Sequence, residues 1–265
     1  MQNPVKIWRV LFAFAIIAIA VQQIIFSVFM PVIVPWPADL AASKPAVYIG
    51  SLVLATIAAF IIIDGKAHPA AIYLGLLFLL LLIIFHIPNQ FLTTPNFLGS
   101  WANSLKIFAL AGCSLIVASV LPQGGYTTGF EGMIPAGKYF LATTMVVFGA
   151  EHFIYADFVK NLVPRGLPGH LFWTYLTGIA LVAAGLGIIL NIKRRLAAQL
   201  LGIMLLIWFV MLHLPRAMAS PRNLNGNEIV SAFEALAFSC GAFILAAVSK
   251  RNNIPVTSKV KARRK

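Results

Sequence analysis

Long apolar runs of about twenty residues alternate along this chain with short breaks rich in Pro, Gly and Asn. Eight such runs can be cut out, at about 9–30, 46–63, 69–87, 103–121, 136–158, 170–190, 196–214 and 228–248. Each is close to the ~20 residues a helix needs to cross ~30 Å of hydrocarbon. The breaks carry turn chemistry: DGKAHP, IPNQFLTTPNFLGS, VPRGLPG, NIKRR and LPRAMASPRNLNGN are examples. The pattern therefore predicts an all-α membrane protein with eight transmembrane helices.

Composition strengthens this picture. Apolar residues make up 60% of the 265 positions and charged residues only 10%, and the mean hydropathy is +0.92, a balance that excludes an ordinary soluble domain. Cys113 and Cys240 both lie inside apolar runs without CxxC spacing. They read as small core residues, not as a disulfide framework or metal ligands. No metal-site motif, Walker loop or dinucleotide fingerprint is present.

Charge changes the picture by its position. The net charge is +13, and seven of the twenty Lys and Arg fall in the tail KRNNIPVTSKVKARRK, with three more at Lys193-Arg194-Arg195. A basic tail after a last membrane helix reads as a contact for anionic lipid and a topology signal, not as a nucleic-acid site. The first run follows Lys6 and Arg9, and QQIIFSVFMP offers no small-residue cleavage site, so it reads as a retained helix. Counted on alternate sides of eight helices, Lys and Arg divide fourteen to six. The more basic side holds both termini, which the positive-inside rule places in the cytoplasm.

The second half repeats the first at an offset near 127 to 129 residues. AVQQIIFSVFMPVIVP (20–35) falls on GAEHFIYADFVKNLVP (149–164), FHIP (85–88) on LHLP (212–215), and FALAGCS (108–114) on EALAFSC (234–240). The expected organisation is a four-helix repeat over 1–121, a linker loop at 122–135, a second four-helix repeat over 136–248 and a basic cytoplasmic tail over 249–265. With an even number of helices in each copy, both enter the membrane in the same sense and a pseudo-twofold axis runs along the membrane normal. The copies differ in chemistry: Gln22 and Gln23 stand opposite Glu151 and His152, Phe26 opposite Tyr155, and Phe108 opposite Glu234, while His86 and His213 agree.

The ionisable residues of the second half form the candidate site. A charge at mid-bilayer costs about 2.5–3.5 kcal/mol on insertion scales, so such residues usually face a bundle interior or wet cavity. Glu151, His152 and Tyr155 share one broad helix face by i, i+3 and i, i+4 spacing. Asn227, Ser231 and Glu234 form a polar stripe on the last helix, and His213 ends the seventh. All approach the outer leaflet, with Arg216 and Arg222 in the adjacent loop placed to attract an anionic substrate. A Glu, His and Tyr at such a boundary could bind a quinone's oxygens and exchange protons with it.

A packing role is the other reading. His86 and His213 could cap helix ends broken by Pro, Glu151 could pair with Lys160 or Arg165, and Glu234 with His152. Tyr155, Trp173, Tyr175 and Trp101 read as an interfacial aromatic belt. Axial haem ligation by two of His86, His152 and His213 stays open as a minor alternative.

GAEHF at a helix end, LVPRGLPG, WTYLTGIALVAAGLGIIL, a basic turn, LHLP and NEIVSAFEALAFSCGAFILA together resemble the DoxX-like family of bacterial membrane proteins. The resemblance covers residues 136–248 and, in a degenerate copy, 9–121. It implies four-helix modules and a bacterial inner membrane. Some relatives are subunits of thiosulfate:quinone oxidoreductase or partners of respiratory and redox-stress systems. The family's polar points match Glu151, His152, His213, Asn227 and Glu234. The expectation is a quinone-linked redox subunit or accessory, with a respiratory or redox partner subunit and quinone as cofactor. A small-solute or proton permease and a structural subunit of a membrane complex are the alternatives.

Overall fold

A computed structural model describes residues 3–35, 43–123 and 127–252. Among these, secondary structure is entirely helical, and eight helices are long and apolar enough to cross a membrane. This is the architecture of a multi-pass membrane protein. They are α1 (Asn3–Phe26), α2 (Lys44–Ile62), α3 (Ala67–Thr93), α4 (Leu98–Ala118), α5 (Glu131–Ile154), α6 (His170–Ile189), α7 (Arg194–Ala219) and α8 (Asn227–Asn252).

Each helix packs on its neighbour in sequence, α1 closes the ring onto α8, and α4 meets α8 in the middle. The two central helices are accordingly the most buried. Without water to drive apolar groups together in a bilayer, close approach and dispersion hold such helices. Glycine supplies the approach between α5 and α6, where a Cβ on Gly149 would stand 2.8 Å from the Gly178 carbonyl oxygen. Cys113 and Cys240 are fully buried on α4 and α8, as core residues should be.

One end of the bundle gathers the start of α1, the α2–α3 turn, the α6–α7 turn and the end of α8. Buried Arg9 donates to Asp64 at 2.7 Å and to the Ile62 carbonyl, and Arg194 donates to Ser249 at 2.9 Å. Of the tail expected over 249–265, Ser249 to Asn252 complete α8. Residues 253–265, on which the anionic-lipid contact rests, lie outside the described residues.

Several boundaries differ from the expected ones, for identifiable reasons. Pro88 and Pro215 do not end their helices. Each follows a five-residue π-helical segment, Leu82–His86 in α3 and Phe209–His213 in α7, and sits in the first turn of a further helical piece ending at Thr93 or Ala219. A proline lacks the N–H an α-helix would need there, and the wider π turn relieves the clash with the preceding carbonyl. The supposed loops IPNQFLTTPNFLGS and LPRAMASPRNLNGN are thus partly helical. Helix α1 begins at Asn3, not 9, and stops at Phe26 because Ser27 adopts φ +54°. Residues 131–135 of the expected linker belong to a 3-10 turn, Glu131–Ala136, that forms the start of α5. Helix α5 breaks at Tyr155 (φ −112°, ψ 35°), short of 158, and a four-residue helix follows.

Candidate functional site

At the end opposite Arg9, a cavity of about 840 Å³ opens between α4, α5, α6, α7 and α8. All eight residues singled out in the sequence line it: Glu151, His152, Tyr155, His213, Arg216, Asn227, Ser231 and Glu234. Its walls are otherwise largely apolar and aromatic, with Phe97, Phe148, Phe158, Trp173, Trp208 and Phe238 among them. They follow α5 from Tyr155 inward to Met145, about 15 Å at 1.5 Å per residue.

The α5 contribution sits where the helix ends. His152 approaches the Phe148 carbonyl oxygen through Nδ1 at 2.7 Å. A carbonyl only accepts, so Nδ1 carries the proton, and Nε2 of the neutral ring is left as an acceptor. Tyr155 caps α5 through its backbone N–H to Glu151, and its hydroxyl accepts from the Gly99 N–H at 3.3 Å. Its ring meets Phe97 edge-on. These contacts join α5 to the turn that starts α4. Glu151 Oε1 is buried and has no hydrogen-bond partner.

Deeper in the cavity, Lys106 of α4 lies 2.8 Å from Glu234 of α8. The contact is to Oε2, which leaves Oε1 of Glu234 buried without a partner. Glu234 is only 2% exposed and Lys106 24%, so the carboxylate is held in the protein interior by one neighbouring cation. Near the mouth, Arg216 embraces Glu228 through two hydrogen bonds of 2.9 and 2.5 Å. His213 stands among Lys106, Arg216 and Glu228.

This geometry corrects the pairings expected from sequence. Lys160 binds Asp157 at 2.6 Å, three residues away on the exposed segment after α5, and not Glu151. Arg165 is exposed and does not line the cavity, and Glu234 is matched by Lys106 and not by His152. Arg216 is held by Glu228, and exposed Arg222 lies outside the cavity lining. Tyr155 and Trp173 line the cavity, whereas Tyr175 stacks on Phe153 and is 39% exposed.

The histidines are not equivalent in surroundings. His86 is buried against the Val32 and Ile33 backbone, away from the cavity, with Nε2 unpartnered. It does not join His152 and His213, so a haem held by His86 with either is not assembled. The capping role expected of His86 is replaced by a place inside the π turn. Among the described residues, no three of His, Cys, Asp and Glu are grouped to hold a metal ion.

Lys106 lines the cavity but is not among the residues singled out in the sequence. Its signal was available: it is the one charged residue in LGSWANSLKIFALAGCSLIVA. A charge eight residues into a span needs a partner in the bundle.

Compared with known proteins, residues 141–247 match a family described as a domain of unknown function, DUF8561. The matched stretch runs from within α5 to within α8, and so contains all the cavity residues except Phe97, Gly99, Ala102 and Lys106. No curated protein and no solved structure matches the chain.

Proposed function

We propose that this chain is a DoxX-like protein of a bacterial inner membrane, with both termini in the cytoplasm. It is built from two parallel four-helix repeats and serves as a quinone-linked redox subunit or accessory. Three features support the duplication. Exchanging α1–α4 for α5–α8 leaves the packing scheme unchanged, α1 on α8 becoming α5 on α4. Both π segments end on a histidine two residues before proline. Gln22 and Phe26 meet Gly226 at the start of α8 as Tyr155 meets Gly99 at the start of α4.

The observation that carries the functional reading is the cavity itself. A volume near 840 Å³ is in the range of sites that hold a small organic ligand, with apolar walls and a few convergent polar groups. A quinone has that form: a flat ring bearing two oxygens on an apolar tail. Glu151, His152, Tyr155 and Lys106 are placed to meet the oxygens, and the aromatic walls to meet the ring. Purification from native membrane tests this directly. A co-purifying quinone or redox partner is expected. A ligand-free stoichiometric complex, unaffected by Glu151→Gln and His152→Ala, would instead make the protein a scaffold.

The buried Lys106–Glu234 pair favours a second reading, a small-solute or proton permease whose charges separate during transport. Proteoliposome flux abolished by Glu234→Gln would select it over the first.

A further inference from the structure

Arg9 and the α6–α7 turn lie at the same end of the bundle, but their charges are met differently. Buried Arg9 is matched by Asp64 and the Ile62 carbonyl. Lys193, Arg194 and Arg195, with Gln199 and Ser249, line a cavity of about 370 Å³ between the α6–α7 turn and the end of α8. None of the ion pairs among the described residues involves these three cations, and residues 250–265 hold no Asp or Glu. Like charges therefore converge on one concave site with no carboxylate to offset them.

The local structure holds the cations there. Asn191 and Lys193 take left-handed backbone, φ +59° and +43°, in the tight turn that starts α7 at Arg194. Arg194 donates through Nε to the Ser249 hydroxyl at 2.9 Å, and that buried hydroxyl donates to the Leu245 carbonyl at 2.8 Å. The guanidinium is thus pinned to α8 while Nη1 and Nη2 make no hydrogen bond among the described residues. A guanidinium fork matches the oxygens of a phosphate. Leu196 lines the same cavity, and Leu200 follows one turn deeper along α7; they are 49% and 55% exposed. Their i, i+4 spacing makes an apolar row that runs from the cations into the span.

We propose that this cavity binds the phosphate headgroup of an anionic membrane phospholipid. Lys193, Arg194 and Arg195 meet the phosphate oxygens, and Leu196 and Leu200 lie beside the acyl chain. Basic pockets between membrane helices on the cytoplasmic side are suited to such headgroups, and the proposed orientation puts this end there. The apolar row is what favours a lipid over free phosphate, which has no chain to lay against it. The inference is independent of what fills the cavity at the opposite end.

The test is a titration of the full chain in neutral detergent, read by native mass spectrometry as lipid bound per protein. Phosphatidylglycerol, zwitterionic phosphatidylcholine and inorganic phosphate are the three probes. Phosphatidylglycerol is expected to bind saturably and more tightly than either of the others. The Lys193→Asn, Arg195→Gln double variant removes two exposed cations and keeps a residue suited to left-handed backbone at 193. It should weaken that binding about fivefold for each cation removed. Arg194→Gln should act in the same sense, and the double variant keeps the test available should loss of the Ser249 contact disturb folding. A Lys6→Gln, Lys66→Gln variant removes the same charge at the same end, outside the cavity, and should bind as wild type does. Equal weakening by the two double variants would make the attraction a diffuse one and overturn the site. Phosphatidylcholine bound as tightly as phosphatidylglycerol would overturn the selectivity for anionic lipid. Inorganic phosphate binding as tightly as phosphatidylglycerol would make this a free-anion site and overturn the lipid.

Discussion

The ends of α1 and α5, which the proposed duplication makes counterparts, have different surroundings. At the end of α1, Gln23 is fully buried and satisfied, accepting from the Met30 N–H and donating to Ser51, both at 3.1 Å. Gln22 donates to the Gly226 carbonyl at 2.5 Å, while its own Oε1 is buried without a partner. At the end of α5, Glu151 and His152 border a cavity, and Glu151 leaves an oxygen without a partner. Neutral amides can donate and accept at once, so they knit a helix end to its neighbours. A carboxylate accepts only, and without a donor it costs stability. The α1 end is thus closed largely by its own contacts, whereas the α5 end leaves a carboxyl oxygen beside a cavity.

The largest effect that sharpens this contrast is expected at the ion pair between the halves. Lys106→Met leaves Glu234 uncompensated in the interior and should cost about 3–5 kcal/mol, read as a lower unfolding temperature in detergent. A Lys106→Met, Glu234→Leu double variant should recover much of that loss, because the pair is then removed as a whole. No recovery would mean that the pair stabilises the fold in its own right.

Next comes the α1 end. Gln23→Leu strands the buried Met30 N–H and Ser51 hydroxyl and should destabilise by about 2 kcal/mol or more. Glu151→Gln at the α5 end breaks no hydrogen bond of Oε1 and is expected to stay within about 0.5 kcal/mol of wild type. Equal losses at both ends, measured in the same thermal or denaturant assay, would erase the distinction between them.

The smallest effect lies at the far end of the bundle, where Arg9 holds the Asp64 carboxyl below its ordinary value of 3.8, chiefly by a direct hydrogen bond. A carboxylate whose folded value is lowered contributes stability that is present above its unfolded value and lost as pH falls through the folded one. Wild type should therefore lose a small extra increment of stability below about pH 4 that Asp64→Asn does not lose. Identical acid profiles would show that the exposed contact contributes nothing, as many surface ion pairs do.

Much of this was legible in the sequence because a bilayer forces it to be. Spans must be apolar and about twenty residues long, so eight runs became eight helices. An ionisable residue within a span must face something polar, so Glu151, His152, His213 and Glu234 converge on one cavity. Two things were not legible. Proline reads as a break, and only the π turns before Pro88 and Pro215 let those helices continue. Ion-pair partners depend on helix order around the ring, and because α4 and α8 meet at the centre, Glu234 finds Lys106 and not His152.

The most direct measurement is equilibrium binding of a short-chain quinone or quinol to the full chain in nanodiscs, compared with the Glu151→Gln, His152→Ala double variant. Saturable binding to the wild type, weakened about tenfold or more in a double variant that remains folded, is the expected result. Binding that is unchanged by the double variant would place the ligand elsewhere and contradict the role assigned to the end of α5.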